Sequence, residues 1–422
     1  MSSMITVEDH LSQVLTGAQA LPTETRPIAD CHGFVLATDC AARLAVPPFT
    51  NSAMDGFAVI ADDVAAASKD TPVQLRVTAD IPAGAAPDSE VVAGTAQRIM
   101  TGAMLPAGAN AVVPVELTNI PAGPHELPET IEVYEPVTPG RHVRSIGDDV
   151  AVGAEIVTAG TRLSAAALSS LVSVGYGELE VYRRPRVAVL ATGEELAEPG
   201  ETPAPGHIPD SNTTLVAGLL READCEVARV ARTGDTPADL FAALQDAAAS
   251  ADLVITTGGV SAGAYDVVKE ATAGAGITFS KVAMQPGKPQ GHGLIEAANG
   301  RRVPMLCLPG NPVSVFVSFQ MFARPILALL AGQGLAAATH IHARRMATTT
   351  VGWKAPAGRR QLAPVRLTEA ERPGDLPTII PTHRLGSGSH LVASLHKANA
   401  LAVVPEETDE VAPWDVLEVI EL

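Results

Sequence analysis

The sequence predicts an α/β multidomain protein: a doubly wound α/β domain with an inserted β domain, a helical linker domain and a small C-terminal β domain. Apolar runs of strand length alternate with helical patterns between residues 185 and 330, which is typical of an open parallel sheet. Short β-rich runs broken by Pro and Gly occupy residues 30–150 and the region after 335. A chain of 422 residues is also too long for one core, so roughly two to four domains are expected.

Shifts in pattern along the chain give the expected domain boundaries. The linker domain is expected to be discontinuous, because helical spacing occurs both before and after the β-rich insertion. The predicted domains are the helical linker over 1–45 and 145–180, the β insertion over 46–144, the α/β domain over 181–332, and a barrel-like C-terminal domain over 333–422.

The spacing of apolar residues predicts the individual elements. Linker helices are expected at 5–20 and 164–174. Strands of the insertion are expected at 57–60, 73–77, 111–117 and 130–134. In the α/β domain we expect strands at 186–191, 225–232, 252–256, 277–284 and 303–308, and helices at 211–223, 237–250, 265–273 and 313–330. C-terminal strands are expected at 361–367, 383–388, 400–404 and 416–420.

Composition excludes several classes of function. The net charge of −18 opposes binding to nucleic acid or to an anionic membrane, and 3% aromatic residues leave little material for base stacking. No run of 18 apolar residues and no secretory signal is visible, so we expect a cytoplasmic protein without a membrane span. The cysteines show no metal-binding spacing and are expected to be reduced thiols: Cys31, Cys40, Cys225 and Cys307.

Four short loops rich in Gly, Pro and acidic residues form the candidate functional site. Three of them follow predicted strands, and loops at the carboxyl ends of parallel strands meet in one crevice. The crevice would contain glycine N–H groups, the cation of Lys288 and the carboxylates of Glu195 and Asp266. This combination suits a phosphorylated ligand held together with a divalent cation. The four loops are 192–196, 257–261, 286–289 and 308–312.

Each loop also has a purely structural interpretation when it is taken alone. Gly258 and Gly259 are common residues for a strand-to-helix turn, and Asn311 before a proline is a typical helix cap. Lys288 in its Pro-Gly-Lys-Pro turn has the pattern of a solvated turn residue. Segment 257–263 matches neither the dinucleotide-binding fingerprint nor the Walker loop. The functional interpretation therefore depends on the loops converging.

Together with several further motifs in the same order, these loops resemble those of the MoeA-type molybdopterin molybdenumtransferases, which are related to the gephyrin E domain. The resemblance implies a cytoplasmic, elongated homodimer whose active site lies between the α/β domain of one subunit and the β domain of the other. It implies that molybdate and adenylated molybdopterin are substrates, that AMP is released and that Mg²⁺ assists. Molybdopterin adenylyltransferase and molybdoenzyme maturation factors would be partners. The further motifs are 51–58, 98–103, 147–149, 210–212, 386–389 and 399–401.

The resemblance also implies roles for individual residues, matched motif by motif. The implied catalytic residues are Asp55, Glu195, Asp266 and Lys288. The implied substrate-binding residues are Thr101, Thr192, Gly258, Gly259, Ser261, Pro309, Gly310, Asn311 and Pro312. The implied metal-binding residues are Glu195, Asp235, Asp266 and Asp149.

Two positions depart from the pattern of the family. Gln285 stands where many relatives have Lys, and His292 stands where an aromatic residue is common. The first departure removes one positive charge from the candidate site. Lys288 is therefore expected to carry more of the anion binding.

Three other functions are compatible with parts of the pattern. A molybdopterin adenylyltransferase-like enzyme would share the α/β domain, but such enzymes are generally a single domain. A noncatalytic, gephyrin-like scaffold would be expected to lose the carboxylates or to gain linker segments. A generic nucleotide-binding oxidoreductase is disfavoured because the glycine fingerprint is missing.

Overall fold

The N-terminal region combines short strands with two helices in the computed structural model, which describes residues 4–233, 236–260, 266–370, 372–383 and 388–422. Helix Val7–Leu15 begins after Thr6, whose hydroxyl accepts a hydrogen bond from the Asp9 N–H at 3.0 Å. The buried face of this helix packs onto the core of the α/β domain. The other elements of the region are Thr23–Pro27, Val35–Leu36, Cys40–Ala41, Glu155–Val157, the helix Ala165–Ser173, and Glu178–Tyr182.

A five-stranded sheet forms the inserted domain. In spatial order its strands are Ala111–Pro114, Gly56–Val59, Thr95–Ile99, Val73–Ile81 and Thr130–Val133. Only the third and fourth of these pair in parallel; the other neighbours are antiparallel. A small separate ladder joins Asn51–Ser52 to Val143–Arg144, where the chain enters and leaves the domain.

The α/β domain is built on a six-stranded mixed sheet, whose strands we number β1 to β6 in chain order. The spatial order is β2-β1-β3-β6-β5-β4. The first four in this order run parallel to one another, and β5 and β4 are antiparallel additions at one edge. The strands are β1 (Arg186–Thr192), β2 (Glu226–Thr233), β3 (Leu253–Thr257), β4 (Ile277–Lys281), β5 (Pro289–Glu296) and β6 (Arg302–Leu308).

Helices cover both faces of this sheet. Asn212–Glu222 and a long apolar helix cover one face together with the first helix of the chain. Pro237–Ser250 and Val267–Ala271 cover the other face. Among the described residues, the long helix Pro312–Leu330 has the length and hydropathy to cross a membrane, but its apolar window is 89% buried within the protein. It is composed of Pro312–Ser318, the π-helical Phe319–Ala323, and Arg324–Leu330.

The C-terminal domain is a closed β-barrel. Five strands pair around a ring, because the last strand in the order pairs back to the first. A short strand from the α/β domain, Met284–Gln285, also pairs with the start of Arg360–Thr368 and ties the two domains together beside loop 286–289. The ring consists of Arg360–Thr368, Thr378–Pro381, Arg344–Thr349, Val416–Glu421 and Ala400–Val404. Trp353–Lys354 pairs with Glu410–Val411 outside it, and Gly334–Thr339 is a helix.

The predicted fold class is confirmed, but one predicted strand is too long and one strand of the α/β sheet was missed. The strand expected over 277–284 ends at Lys281, and β5 was not predicted because glycines interrupt its pattern. A Cβ on Gly291 would lie 2.7 Å from a ring carbon of Phe279, so close packing rather than a turn requires glycine there. The strand expected at 383–388 lies mostly outside the described residues; the neighbouring strand that the structure describes is Thr378–Pro381.

Candidate functional site

A large cleft lies where the four predicted loops meet. Its volume is about 1010 Å³, and its walls include residues of both the α/β domain and the barrel. The loops after β1, β3 and β6 enter it because these neighbouring parallel strands end at the same edge of the sheet. The predicted residues that line it are Thr192, Glu195, Gly258, Gly259, Asp266, Lys288, Pro309, Gly310, Asn311 and Pro312.

Two glycines allow the loops to approach closely at the floor of the cleft. Gly258 has a φ of +93°, in the left-handed region, and its N–H donates to the Leu308 carbonyl at 3.1 Å. A Cβ on Gly310 would lie only 3.5 Å from the Gly258 Cα. The loops after β3 and β6 are therefore held against each other by backbone contacts.

The loop before helix Asn212–Glu222 is joined to this floor by side chains. The buried carboxylate of Asp210 accepts from the Thr213 N–H at 3.1 Å and from its hydroxyl at 2.7 Å. The Asn212 Nδ2 donates to the Gly310 carbonyl at 2.7 Å. Sequence analysis included these residues only as part of a family motif. The structure adds Asn212 to the cleft wall.

Hydrogen bonds fix the backbone of the turn that carries Lys288. The buried Gln290 amide donates from Nε2 to the Gly287 carbonyl at 2.7 Å and to the Ser318 hydroxyl at 2.6 Å. The Lys288 carbonyl accepts from the Val282 N–H at 2.8 Å. With its backbone fixed at both points, the turn presents the half-buried Lys288 to the cleft.

The barrel contributes a second cation that sequence analysis missed. Arg359 lines the cleft and lies next to the strand that pairs with Met284–Gln285. Within the described part of the chain, neither Arg359 nor Lys288 forms an ion pair with a carboxylate. Nothing in the local sequence around Arg359 indicates this position, because the proximity is created by the pairing of two distant segments. The charge expected to be missing at Gln285 is thus supplied nearby by the barrel.

Ser389 is another barrel residue in the cleft wall. It accepts at Oγ from the Asn311 Nδ2 at 3.0 Å, and its carbonyl accepts from the Val313 N–H at 3.2 Å. Asn311, predicted as a helix cap, makes no side-chain capping bond to the helix that follows. Its amide instead joins the α/β domain to the barrel.

Four carboxylates line the cleft, two of which were predicted. Glu195 is exposed, whereas the carboxylate of Asp266 is mostly buried and lies 3.0 Å from the Lys269 ammonium. Glu194 and Glu270 are the additional two. The described residues contain no group of three His, Cys, Asp or Glu side chains close enough to hold a metal ion by themselves.

Three buried polar atoms in the cleft wall have no hydrogen-bond partner in the described structure. They are the hydroxyls of Thr192 and Thr257 and the Oδ1 of Asn212. Buried polar groups are nearly always paired, so these three atoms are available to a ligand or to water that enters the cleft.

The predicted residues of the inserted domain lie outside this cleft. The Asp55 carboxylate accepts from the Thr101 N–H at 2.7 Å and from its hydroxyl at 2.8 Å. The hydrogen bond from the Thr101 backbone, followed by the one from its hydroxyl, lowers the pKa of Asp55. Asp149 is exposed in the linker region, and its N–H donates to the Val46 carbonyl at 2.9 Å. None of these three residues lines the cleft of their own chain.

Two predicted site residues, Asp235 and Ser261, lie outside the described residues, as do Gly386 and Ser387 of one family motif. Their roles stay predictions.

Comparison with known families gives consistent matches along the whole chain. The MoeA N-terminal region (domain I and II) matches residues 5–175. The probable molybdopterin binding domain matches residues 188–329. The MoeA C-terminal region (domain IV) matches residues 346–422.

Individual relatives agree with these matches. The chain is 40% identical to molybdopterin molybdenumtransferase 2 of Mycobacterium tuberculosis, over 99% of this chain and 100% of the relative. It is 36% identical to a molybdopterin molybdenumtransferase of a Nostoc strain, over 74% of this chain and 70% of the relative. A crystal structure of the MoeA protein from Pyrococcus horikoshii superimposes with a TM-score of 0.79 at 29% identity, covering 99% of both chains.

Proposed function

Because the chain belongs to the MoeA family of molybdopterin molybdenumtransferases and acts in molybdenum cofactor biosynthesis, we propose that it inserts molybdate into adenylated molybdopterin with release of AMP. In this reaction the pyrophosphate bond of the substrate is hydrolysed, AMP leaves, and molybdenum is bound by the dithiolene sulfurs of the pterin. The observation that carries the proposal is the cleft, which combines two cations, several carboxylates and unpaired polar atoms.

The cations and backbone amides would bind the anionic groups. A protein with a net charge of −18 repels anions at long range, so it needs a local site for them. Lys288 and Arg359 supply two positive charges, and the loop supplies the backbone N–H of Gly259, since the N–H of Gly258 already donates to the Leu308 carbonyl. Charge-assisted hydrogen bonds from these groups would hold the phosphates and the molybdate.

We propose Mg²⁺ as the assisting cation, and the residues present fit it. The acidic side chains in the cleft offer only oxygen ligands, which Mg²⁺ prefers. Mg²⁺ is commonly bound by one or two carboxylates together with substrate phosphates, so a complete cage of protein ligands is not needed. Glu195 and Asp266 would hold it, with Asp235 as a further candidate. When bound, such an ion neutralises charge on the phosphate oxygens.

We further propose that the protein is a homodimer whose subunits share each site. Asp55 and Thr101 form a compact hydrogen-bonded pair on the inserted domain, yet they lie outside the cleft of their own chain. A second copy would bring this pair to the cleft. Asp149 would belong to the same contributed surface. A cytoplasmic location and partnership with a molybdopterin adenylyltransferase and with molybdoenzyme maturation factors complete the proposal.

The test of the proposed reaction is direct. The purified protein is incubated with adenylated molybdopterin, Mg²⁺ and molybdate, and AMP release and protein-bound molybdenum are measured. We expect AMP and inserted molybdenum to appear in equal amounts and to depend on both molybdate and the cation. AMP release without molybdenum insertion, or no release at all, would contradict the proposal.

A further inference from the structure

In the cleft wall, the side-chain amide of Asn212 has a hydrogen-bond partner at only one of its two ends. The residue begins helix Asn212–Glu222 and is 8% exposed. Its Nδ2 donates to the Gly310 carbonyl at 2.7 Å, whereas its Oδ1 is buried and has no partner among the described residues. Leaving a buried acceptor unpaired costs free energy.

A second asparagine shows how a purely structural amide is satisfied. The Asn399 Nδ2 donates to the Leu367 carbonyl at 3.0 Å, and its Oδ1 accepts from the Leu367 N–H at 2.7 Å. Both ends of this side chain are paired within the barrel, and Asn399 does not line the cleft. A buried amide oxygen of the inserted domain, that of Gln97, is also unpaired, but only Asn212 of these three side chains combines an unpaired oxygen with a place in the cleft wall.

The orientation of the Asn212 amide is fixed by its neighbours. Gly310 offers a carbonyl, which can accept a hydrogen bond only from the NH₂ end of the side chain. The preceding loop is held by Asp210 through its two hydrogen bonds to Thr213. Rotation of the amide by half a turn would place its oxygen against the carbonyl oxygen of Gly310. The amide oxygen of Asn212 is consequently available to form a hydrogen bond with a group from outside the chain.

The chemistry of this oxygen limits what it can bind. An amide oxygen accepts hydrogen bonds and cannot donate them, whereas the unpaired hydroxyls of Thr192 and Thr257 can do either. Phosphate and molybdate oxygens are acceptors too, so they would be repelled from it. The partner is then a cation or a group that carries an N–H or O–H. The carboxylates of Glu195 and Asp266 are stronger ligands for a cation than a neutral amide, which leaves the Asn212 oxygen to an N–H or O–H group.

We infer that Asn212 positions the substrate by accepting a hydrogen bond from an N–H of its heterocycle, an inference that rests on the proposed function. Adenylated molybdopterin has two such sources, the pterin and the adenine, and both present N–H donors at their edges. The heterocycle would face Asn212, while the anionic groups face Lys288 and Arg359. Asn212 is thus a positioning residue that sets which way the substrate enters the cleft.

The experiment compares the wild type with Asn212→Ala, Asn212→Ser and the matched control Asn399→Ala. Each protein is titrated with adenylated molybdopterin, AMP and purine riboside 5′-monophosphate, which lacks the exocyclic amino group, and its thermal unfolding is recorded. Asn212→Ala is expected to bind adenylated molybdopterin roughly tenfold more weakly. Asn399→Ala is expected to unfold at a lower temperature while its affinity stays within about twofold of the wild type.

The two sources of the N–H are separated by the smaller ligands. If the adenine is the donor, the wild type prefers AMP over purine riboside 5′-monophosphate and Asn212→Ala loses this preference. If the pterin is the donor, AMP binds both proteins equally and only adenylated molybdopterin is weakened. Equal weakening of AMP and its analogue would overturn the inference, because it would indicate a general distortion. Unchanged affinity for adenylated molybdopterin in Asn212→Ala would also overturn it.

Asn212→Ser keeps the test decisive if the alanine variant fails to fold. Serine adds no charge and is favoured where helices begin, but its short side chain does not place an acceptor where the Asn212 amide oxygen lies. It is expected to bind adenylated molybdopterin roughly tenfold more weakly than the wild type, and an affinity within about twofold would contradict the inference. A wild type that binds no adenylated molybdopterin would instead contradict the proposed function itself.

Discussion

The cleft and the Asp55 surface of the inserted domain differ in how completely their polar groups are paired. In the cleft, Lys288 and Arg359 have no carboxylate partner and three buried polar atoms are unpaired, within the described part of the chain. On the inserted domain, one oxygen of Asp55 already accepts two hydrogen bonds from Thr101. The cleft is thus built to be completed by a ligand. Asp55 and Thr101 are already hydrogen-bonded to each other, so a second subunit would bring both residues to the cleft together.

This difference predicts how the two regions respond to substitution. Removing an unpaired charge such as that of Lys288 from the cleft should weaken ligand binding, because no ion pair within the described part of the chain is lost with it. Removing the charge of Asp55 should leave the cleft of the same chain intact and affect the reaction only where subunits meet.

The largest effect is expected from Lys288→Met, which removes one of the two cleft cations. A hydrogen bond to a charged group contributes roughly 1.5–3 kcal/mol, so molybdate and adenylated molybdopterin should bind about 10- to 100-fold more weakly. The affinities are measured by titration at low and moderate salt. Lys281→Met is the matched control, because Lys281 is exposed at the end of β4 and does not line the cleft. Equal losses in both variants would show that net charge, not the cleft, attracts the ligand.

Acid should destabilise the packing of the first helix against the α/β domain through His10. Burial, with a smaller effect of the nearby His292, lowers the pKa of His10 to about 3. The rings of the two residues are 5.0 Å apart, and His10 also packs 4.6 Å from the ring of Phe322. The unfolded chain takes up the proton below its ordinary pKa of about 6.5, whereas the folded chain does not. Stability contributed by neutral His10 is therefore present above that pH and is lost progressively as the pH falls toward 3.

The expected size of this loss is about 2 kcal/mol between pH 7.5 and 5. Thermal unfolding recorded at the two pH values measures it. His10→Leu should show a smaller drop than the wild type, whereas His32→Leu, at an exposed position, should behave like the wild type. The Asp55 carboxyl has a lowered pKa and stays ionised in this range, so Asp55 does not contribute to the acid effect. The same drop in His10→Leu as in the wild type would assign the acid sensitivity to other groups.

Asp55→Asn tests the other region. The substitution keeps the size of the side chain but removes its charge and weakens the acceptor for Thr101. We expect molybdenum insertion to fall at least roughly tenfold, about 1.4 kcal/mol in the barrier, with the fold and the affinity of the cleft for molybdate unchanged. Asp62→Asn is a suitable control because Asp62 is exposed in the same domain. Normal turnover of Asp55→Asn would remove Asp55 from the reaction.

Mixed dimers separate the two regions most clearly. Asp55→Asn is mixed with Asp266→Asn under conditions that exchange subunits. If each site combines Asp55 of one subunit with Asp266 of the other, a heterodimer has one site with both lesions and one with neither. About half of the wild-type activity per heterodimer should return. Heterodimers that form but stay inactive would contradict the shared site.

The same contrast explains which features were predictable from sequence. The loops after β1, β3 and β6 were predictable because strand ends in a parallel sheet converge by topology. Arg359 was not predictable, since its position depends on Met284–Gln285 pairing with the barrel, a contact between segments about 75 residues apart. Strand β5 was missed because Gly291 looks like a turn residue, although packing against Phe279 requires it. Local sequence patterns were enough to identify the loops of the cleft. The barrel residues that face these loops are placed by pairing between distant segments, which local patterns do not reveal.

The smallest effect is expected from Gln285→Lys, which adds a third cation beside Lys288 and Arg359. Gln285 is half-buried at the cleft wall. A lysine there can keep its ammonium group hydrated while lying close to a ligand in the cleft. Solvent screens most of its attraction for an anion, and we expect affinity for molybdate to rise only about two- to fivefold. The gain should shrink as salt is raised, because mobile ions screen exposed charges. Gln74→Lys adds the same charge to the exposed surface of the inserted domain and should change the affinity by less than about 1.5-fold. Equal gains in the two variants would mean that the net charge of the protein governs anion binding. A positive charge in the cleft would then have no more effect on molybdate affinity than one on the inserted domain.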